Sequence, residues 1–242
     1  MNLSQSLSSC LVVLLLALGQ GQAINLVFTP TQLTINPVRT LTSATSVQNR
    51  DTVPVDFTAQ VMRWTQQDGK DVLELTPEAL VNPPRFVLAP GQTQTVRVGL
   101  LARGSLPQAT YRVVLTGTPA SSSPAASEAA AAVSATVTTR YAFNLPLFVT
   151  APGAVARLRP HLEQTPAGLT LHWTNDGTAA ASIRNSSLSY GDRKIAPGGS
   201  YVLAGSTVVL PLSLSSYPPE GLSITYTDQG QEKRELLSPP AR

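Results

Sequence analysis

The run VSATVTTRYAFNLPLFVT, residues 133–150, alternates along most of its length. Val133, Ala135, Val137, Thr139, Tyr141, Phe143, Leu145, Leu147 and Val149 share one parity. Ser134, Thr136, Thr138, Arg140, Asn144 and Thr150 share the other. A period of two is that of a β-strand with one buried face, and no helical period competes with it. At 18 residues the run is about three times the ordinary strand length, and a sandwich of ordinary strands is roughly 20 Å tall. Such a domain cannot bury all of it. Part must project, line a groove between domains, or pair with another chain. Pro146 has no N–H to give a ladder, which favours a sheet edge.

Upstream, PASSSPAASEAAAA (119–132) is low in complexity. Its Ser/Pro start and the lack of an apolar stripe predict a flexible loop, long enough to suggest a function. Further upstream, VDFTAQVMRW (55–64), TQTVRVGLL (93–101) and ATYRVVLTG (109–117) alternate as strands do, and turns are predicted at Asp68-Gly69 and Ala89-Pro90-Gly91. Downstream, Ala151-Pro152-Gly153 reads as a linker. GLTLHWTN, AASIRNSSLSY, YVLAGSTVVLPLSL and GLSITYTD follow, with turns at Asn175-Asp176-Gly177 and Pro197-Gly198-Gly199. Turns every ten or so residues predict an all-β chain of two sandwiches.

The leader Leu11–Leu18 is apolar, too short to span a bilayer, and is followed by Gly21 and Ala23 in a G-x-A cleavage pattern. The expected division is a signal peptide over 1–23, a first domain over 24–150 and a smaller second domain over 151–242. Cys10 precedes the apolar run, which argues against a lipobox. It is also the only cysteine, so the mature chain is held by its cores and not by disulfides. No second long apolar segment calls for stable membrane insertion. Charged residues make up 13% and the net charge is +3, with no dense Lys/Arg stripe, so nucleic acid is not an expected partner.

Several segments occur in a telling order: INPVRTLT (35–42), VQNRDTVPVDFTAQVMRW (47–64), NPPRFVLAPGQTQTVRV (82–98), TYRVVL (110–115), LPLFVTAPG (145–153), LHWTNDG (171–177) and YVLAGS (201–206). The most specific is 82–98, a PP-x-F-x-L-x-PG-x-x-Q-x-V-R pattern. Together they resemble the periplasmic pilus chaperones of the PapD-like type, in particular their divergent archaic branch. The resemblance implies two immunoglobulin-like sandwiches set at an angle, with a cleft between them. It implies a periplasmic protein that stabilises pilus or fimbrial subunits by donor-strand complementation and hands them to an outer-membrane usher. It implies no enzyme activity and no cofactor.

By register with that family, Val137, Thr139 and Tyr141 point into the subunit's open groove, and Val133 and Ala135 extend the row. Leu145 and Leu147 belong to the chain's own core. Arg39 matches the family's first-strand arginine, which binds the subunit's C-terminal carboxylate. Arg112 is the rival or second anchor, with its side chain opposite the Tyr111, Val113, Leu115 face. Arg97 and Arg140 read as solvated strand charges. This chain departs from the better-known members at three places. Pro146 stands where they carry a lysine, Ala109 or Thr110 where an acidic residue precedes the Tyr-Arg pair, and Thr150 where an interdomain arginine is expected.

Catalysis has little to build on. No G-x-S-x-G motif occurs, and His161 and His172 lack metal-ligand spacing and read as exposed. Trp64 and Trp173 read as sandwich packing. The competing reading is a secreted structural or adhesive protein of two immunoglobulin-like domains, which would not need the long one-faced strand.

Overall fold

The computed structural model describes residues 25–119, 140–199, 201–228 and 230–240. The leader and the donor-strand positions Val133, Ala135, Val137 and Thr139 lie outside the described residues. Those described form strands and turns, with no helix among them.

The first ten strands are β1 (Leu26–Thr29), β2 (Leu33–Ile35), β3 (Thr42–Asn49), β4 (Val55–Gln67), β5 (Lys70–Leu75), β6 (Ala79–Asn82), β7 (Arg85–Leu88), β8 (Thr93–Leu100), β9 (Gln108–Pro119) and β10 (Tyr141–Thr150). One sheet runs β1-β3-β8-β6. The other runs β2-β10-β9-β4-β5, with β7 on the start of β4. β4 and β5 are joined at Asp68 and Gly69, both at positive φ (49° and 74°). That pairing twists a two-residue turn to match its strands, as the Asp-Gly dipeptide predicts. Leu145, Leu147 and Val149 enter the core with Val113, Leu115, Phe57 and Val98. This follows the parity of β10, and Phe143 packs at the rim against Phe28, ring centroids 4.6 Å apart.

The second set comprises β11 (Leu158–Thr165), β12 (Gly168–Asn175), β13 (Ala181–Ser182), β14 (Ser187–Tyr190), β15 (Arg193–Ile195), β16 (Tyr201–Val202), β17 (Thr207–Pro211), β18 (Leu222–Asp228) and β19 (Gln231–Leu237). β11-β12-β17 face β15-β14-β18-β19 over a core centred on Trp173, Leu171, Ile224 and Tyr226. Trp173 meets Tyr226 edge to face at 5.0 Å, a geometry that adds to plain area burial. His161 and His172 stand opposite each other on β11 and β12. His161 is exposed. His172 is half-buried within 3.0 Å of the Glu163 carboxylate. Burial and then the neighbouring His161 hold His172 below the usual imidazole range.

Buried Asn175 fastens the chain that enters this second sandwich. Its amide donates to the Ala179 and Val202 carbonyls, and its oxygen accepts from the Arg157 and Gly177 N–H groups. Gly177 lies so close to the 155–157 backbone that a Cβ would clash with the Val155 carbonyl and stand 2.6 Å from the Arg157 nitrogen. Since Asn175 pins both segments, neither can give way. Gly177→Ala is expected to destabilise the protein by about 1–3 kcal/mol, the range for overpacking. The check is the urea midpoint, which should fall with an unchanged slope. An unchanged midpoint would refute this account of the junction.

Candidate functional site

The site grows from the parity of β9. Tyr111, Val113 and Leu115 point into the first core, so Thr110 and Arg112 must point the other way. In this sheet the other face meets the second sandwich. Trp64 of β4 and Phe148 of β10 lie on it and form a separate apolar cluster with Tyr201 and Leu203. The three rings pack at centroid distances of 5.2–5.9 Å. Trp64 was expected in sandwich packing. Its even position on β4, opposite in parity to the buried Val55, Phe57, Ala59 and Val61, instead turns it toward the neighbouring domain.

Gln66 extends this seam with three hydrogen bonds. Its oxygen accepts from the Leu203 N–H at 2.9 Å. Its amide donates to the Tyr201 carbonyl at 3.0 Å and to Asp71 Oδ1 at 2.9 Å. The Tyr201 hydroxyl donates to Gln32 at 2.8 Å. Gln108 donates to the Thr150 hydroxyl and accepts from the Ala180 N–H at 2.6 Å. Thr150, where the family resemblance led us to expect an arginine, thus joins a neutral amide bridge.

Arg112 is 9% exposed. In register it lies between Met62 of β4 and Pro146 of β10. Its guanidinium carbon sits 3.6 Å from the Trp64 ring centroid, a cation–π stack, and Nη2 lies 3.3 Å from Asp71 Oδ2. Burial pulls the Arg112 pKa down and the Asp71 carboxylate opposes it. An arginine in this setting still stays charged. The pair is asymmetric, with the Asp71 side chain 46% exposed against 10% for Arg112. Arg112 is thus a nearly dry cation beside a wet counter-ion.

The other predicted residues are scattered. Arg39 is exposed in the turn after β2, where its N–H bonds the Asn36 carbonyl. Its side chain takes no part in the network around Arg112. Tyr141 opens β10 opposite Gly117 and is half-buried. Arg97 and Arg140 are exposed. Sequence reading missed Trp64, Gln66, Asp71 and Tyr201 as parts of one site. The available signal was a large aromatic ring at an even position, Trp64 among Asp56, Thr58, Gln60 and Gln66 on β4 and Phe148 between Asn144 and Thr150 on β10.

The model of the pili and flagellar-assembly chaperone family, PapD N-terminal domain, matches residues 25–156. Among solved structures, the fold is similar to a chain of the CsuC–CsuE chaperone–tip adhesion subunit complex from archaic Csu pili of Acinetobacter baumannii. Identity is 18%, coverage 88% of this chain and 98% of that one, and the TM-score 0.63. It is also similar to a chain of the Salmonella enterica SafA pilin–SafB chaperone complex (15%, 89% and 98%, 0.62). A third similar fold is the E. coli chaperone DraB (18%, 89% and 98%, 0.58). No curated protein matches the sequence.

Proposed function

The chain belongs to the pili and flagellar-assembly chaperone family, and from that premise we propose that it captures pilus or fimbrial subunits in the periplasm. In this reading a subunit lacks its last strand and exposes an apolar groove with unpaired backbone groups. β10 and the residues preceding it lend the missing strand, so that Val133, Ala135, Val137, Thr139 and Tyr141 fill the groove. Each backbone bond is worth about 1 kcal/mol net, but an unmade buried bond costs about 1–3 kcal/mol, so capping removes a large aggregation hazard. The capped subunit then passes to an outer-membrane usher.

The observation that carries this reading is Arg112, a buried guanidinium at the seam of two domains, stacked on Trp64 and half-neutralised by an exposed aspartate. It suits the C-terminal carboxylate of a subunit, because a guanidinium can grip both oxygens at once. Pro146, directly opposite Arg112 on β10, offers no competing cation. Arg39, in its exposed turn, is assigned the lesser part, since a hydrated arginine binds a carboxylate weakly.

The test is co-purification. The full chain with a C-terminal tag is expressed in its own host, and periplasmic extract is passed over the affinity resin. A small β-rich subunit should accompany it in equal amount, and intact mass should place the chaperone's first residue at Ile24. Recovery of the chain alone from piliated cells, or of a chain still starting at Met1, would count against the proposal.

A further inference from the structure

Two histidines are all that the chain contains, and the β11–β12 hairpin sets them face to face. His161 pairs with His172 in register, and their ring centroids stand 4.8 Å apart at a tilt of 32°. Parity puts both on the outer face of the β11-β12-β17 sheet, because Leu162, Leu171 and Trp173 take the inner one. Glu163, two residues on from His161, shares that outer face. Its Oε2 lies 3.0 Å from His172 Nε2, and the Thr170 hydroxyl lies 3.0 Å from the same nitrogen. Arg159, on the same strand and face, is engaged by Asp176 at 2.8 Å and does not claim Glu163. Two imidazoles and one carboxylate are thus gathered on one patch.

Their spacing is that of ligands around a single ion. Bonds of about 2.0–2.1 Å in a tetrahedral site leave donor atoms about 3.3 Å apart and the centres of two imidazoles roughly 5 Å apart. His172 and Glu163 come close to the first spacing, and the two rings match the second. Among the described residues no three such groups converge ready-made on one point. The step that remains is a turn of the His161 side chain, which is exposed on an edge strand and has room to make it. Imidazole nitrogen with one carboxylate suits Zn²⁺, Cu²⁺ or Ni²⁺, whereas Mg²⁺ and Ca²⁺ take sets of oxygen ligands.

We propose that His161, His172 and Glu163 bind a late first-row divalent metal ion on the outer face of the second sandwich. Water completes the coordination. The ion ties the edge strand β11 to β12, and because only the folded hairpin brings the three groups together, it stabilises the native chain. This site is separate from the Arg112 cleft and does not depend on how a subunit is held.

The experiment is isothermal titration of the whole mature chain with zinc chloride at neutral pH, the protein being purified without a histidine tag and stripped with a chelator. The wild type should bind zinc at one ion per chain and should not bind Mg²⁺. His161→Ala and His172→Ala should each weaken zinc binding by at least about tenfold, since even the loss of an outer-shell partner costs roughly 10–100-fold. Glu163→Gln keeps a neutral oxygen and should lose less. Zinc should raise the melting temperature of the wild type and leave that of the double variant His161→Ala/His172→Ala where it was. Melting curves of the metal-free variants check folding. His161 is exposed, so His161→Ala carries the test should His172→Ala unfold. A wild type that takes up no zinc overturns the proposal. So does zinc binding by His161→Ala at wild-type strength, which would place the ion elsewhere. Displacement of zinc by an equal concentration of Mg²⁺ would mark a site of oxygens alone and overturn it too.

Discussion

Replacing Arg112 with alanine is expected to lower subunit capture by about a hundredfold while leaving the chaperone folded. A bond to a charged group contributes about 1.5–3 kcal/mol, and two such bonds to one carboxylate exceed a factor of one hundred at 1.4 kcal/mol per tenfold. The effect should be large because Arg112 is buried and its field is little screened. Folding is spared for a reason visible in the ion pair. The aspartate left behind, Asp71, is about half exposed and can be hydrated, so no charge is stranded in the interior. The lost stack on Trp64 costs up to about 2 kcal/mol, which should appear as a lower melting temperature and not as loss of the native state. Arg112→Lys retains charge without the planar fork and should fall between. Asp71→Asn gives the contrasting result. If Asp71 occupies the guanidinium until a subunit arrives, removing its charge should tighten capture. The measurement is quantitative pull-down of a co-expressed subunit beside thermal melts. Full capture by Arg112→Ala would remove the anchor, and equal capture by Arg39→Ala and wild type would leave Arg39 a solvated charge.

What the sequence made legible were features that depend on neighbours in the chain. Asp68-Gly69 encodes its turn locally, because both residues tolerate positive φ. The parity of 141–150 sends Leu145, Leu147 and Val149 inward, as alternation requires. Arg39 lies in a turn and not on the first strands, and the reason is local. Asn36-Pro37 marks a turn, and the Asn36 carbonyl and side chain close it around Val38 and Arg39, so β2 stops at Ile35. The cleft was less legible because its contacts join residues far apart in the chain. Gln66 and Tyr201 are 135 positions apart, and Tyr201 and Gln32 are 169. Alternation assigns a residue to one of two faces. It does not reveal that one of those faces meets another domain, and hence that Trp64 supports a buried arginine.

The strand itself yields the second large effect. Val137→Asp should abolish capture and Thr138→Asp should not. If residues 133–141 fill a subunit's groove, odd positions enter it and even positions face away, since successive side chains of a strand point to opposite sides. Carboxylate burial without a partner costs more than about 2 kcal/mol, the lower end of the cost for an uncharged polar group, so the loss should exceed roughly thirtyfold. The parity is anchored on the described part of the strand, where Phe143, Leu145, Leu147 and Val149 all turn to the core side and Asn144 turns away. Tyr141 begins β10 at the end remote from the linker, opposite Gly117, so Tyr141→Asp tests the same row from the described end. Tyr141 is half-buried in the free protein, so Tyr141→Asp is read together with Val137→Asp, with Thr136→Asp and Thr138→Asp as paired controls. Melting curves for all four are measured with the pull-down. Loss of capture confined to the odd positions, with unchanged melting, is the expected pattern. Equal loss at odd and even positions, accompanied by lower melting temperatures, would mean that the segment only completes the chaperone's own core. Normal capture by every variant would mean that the subunit is held elsewhere, and donor-strand complementation by this segment would have to be given up.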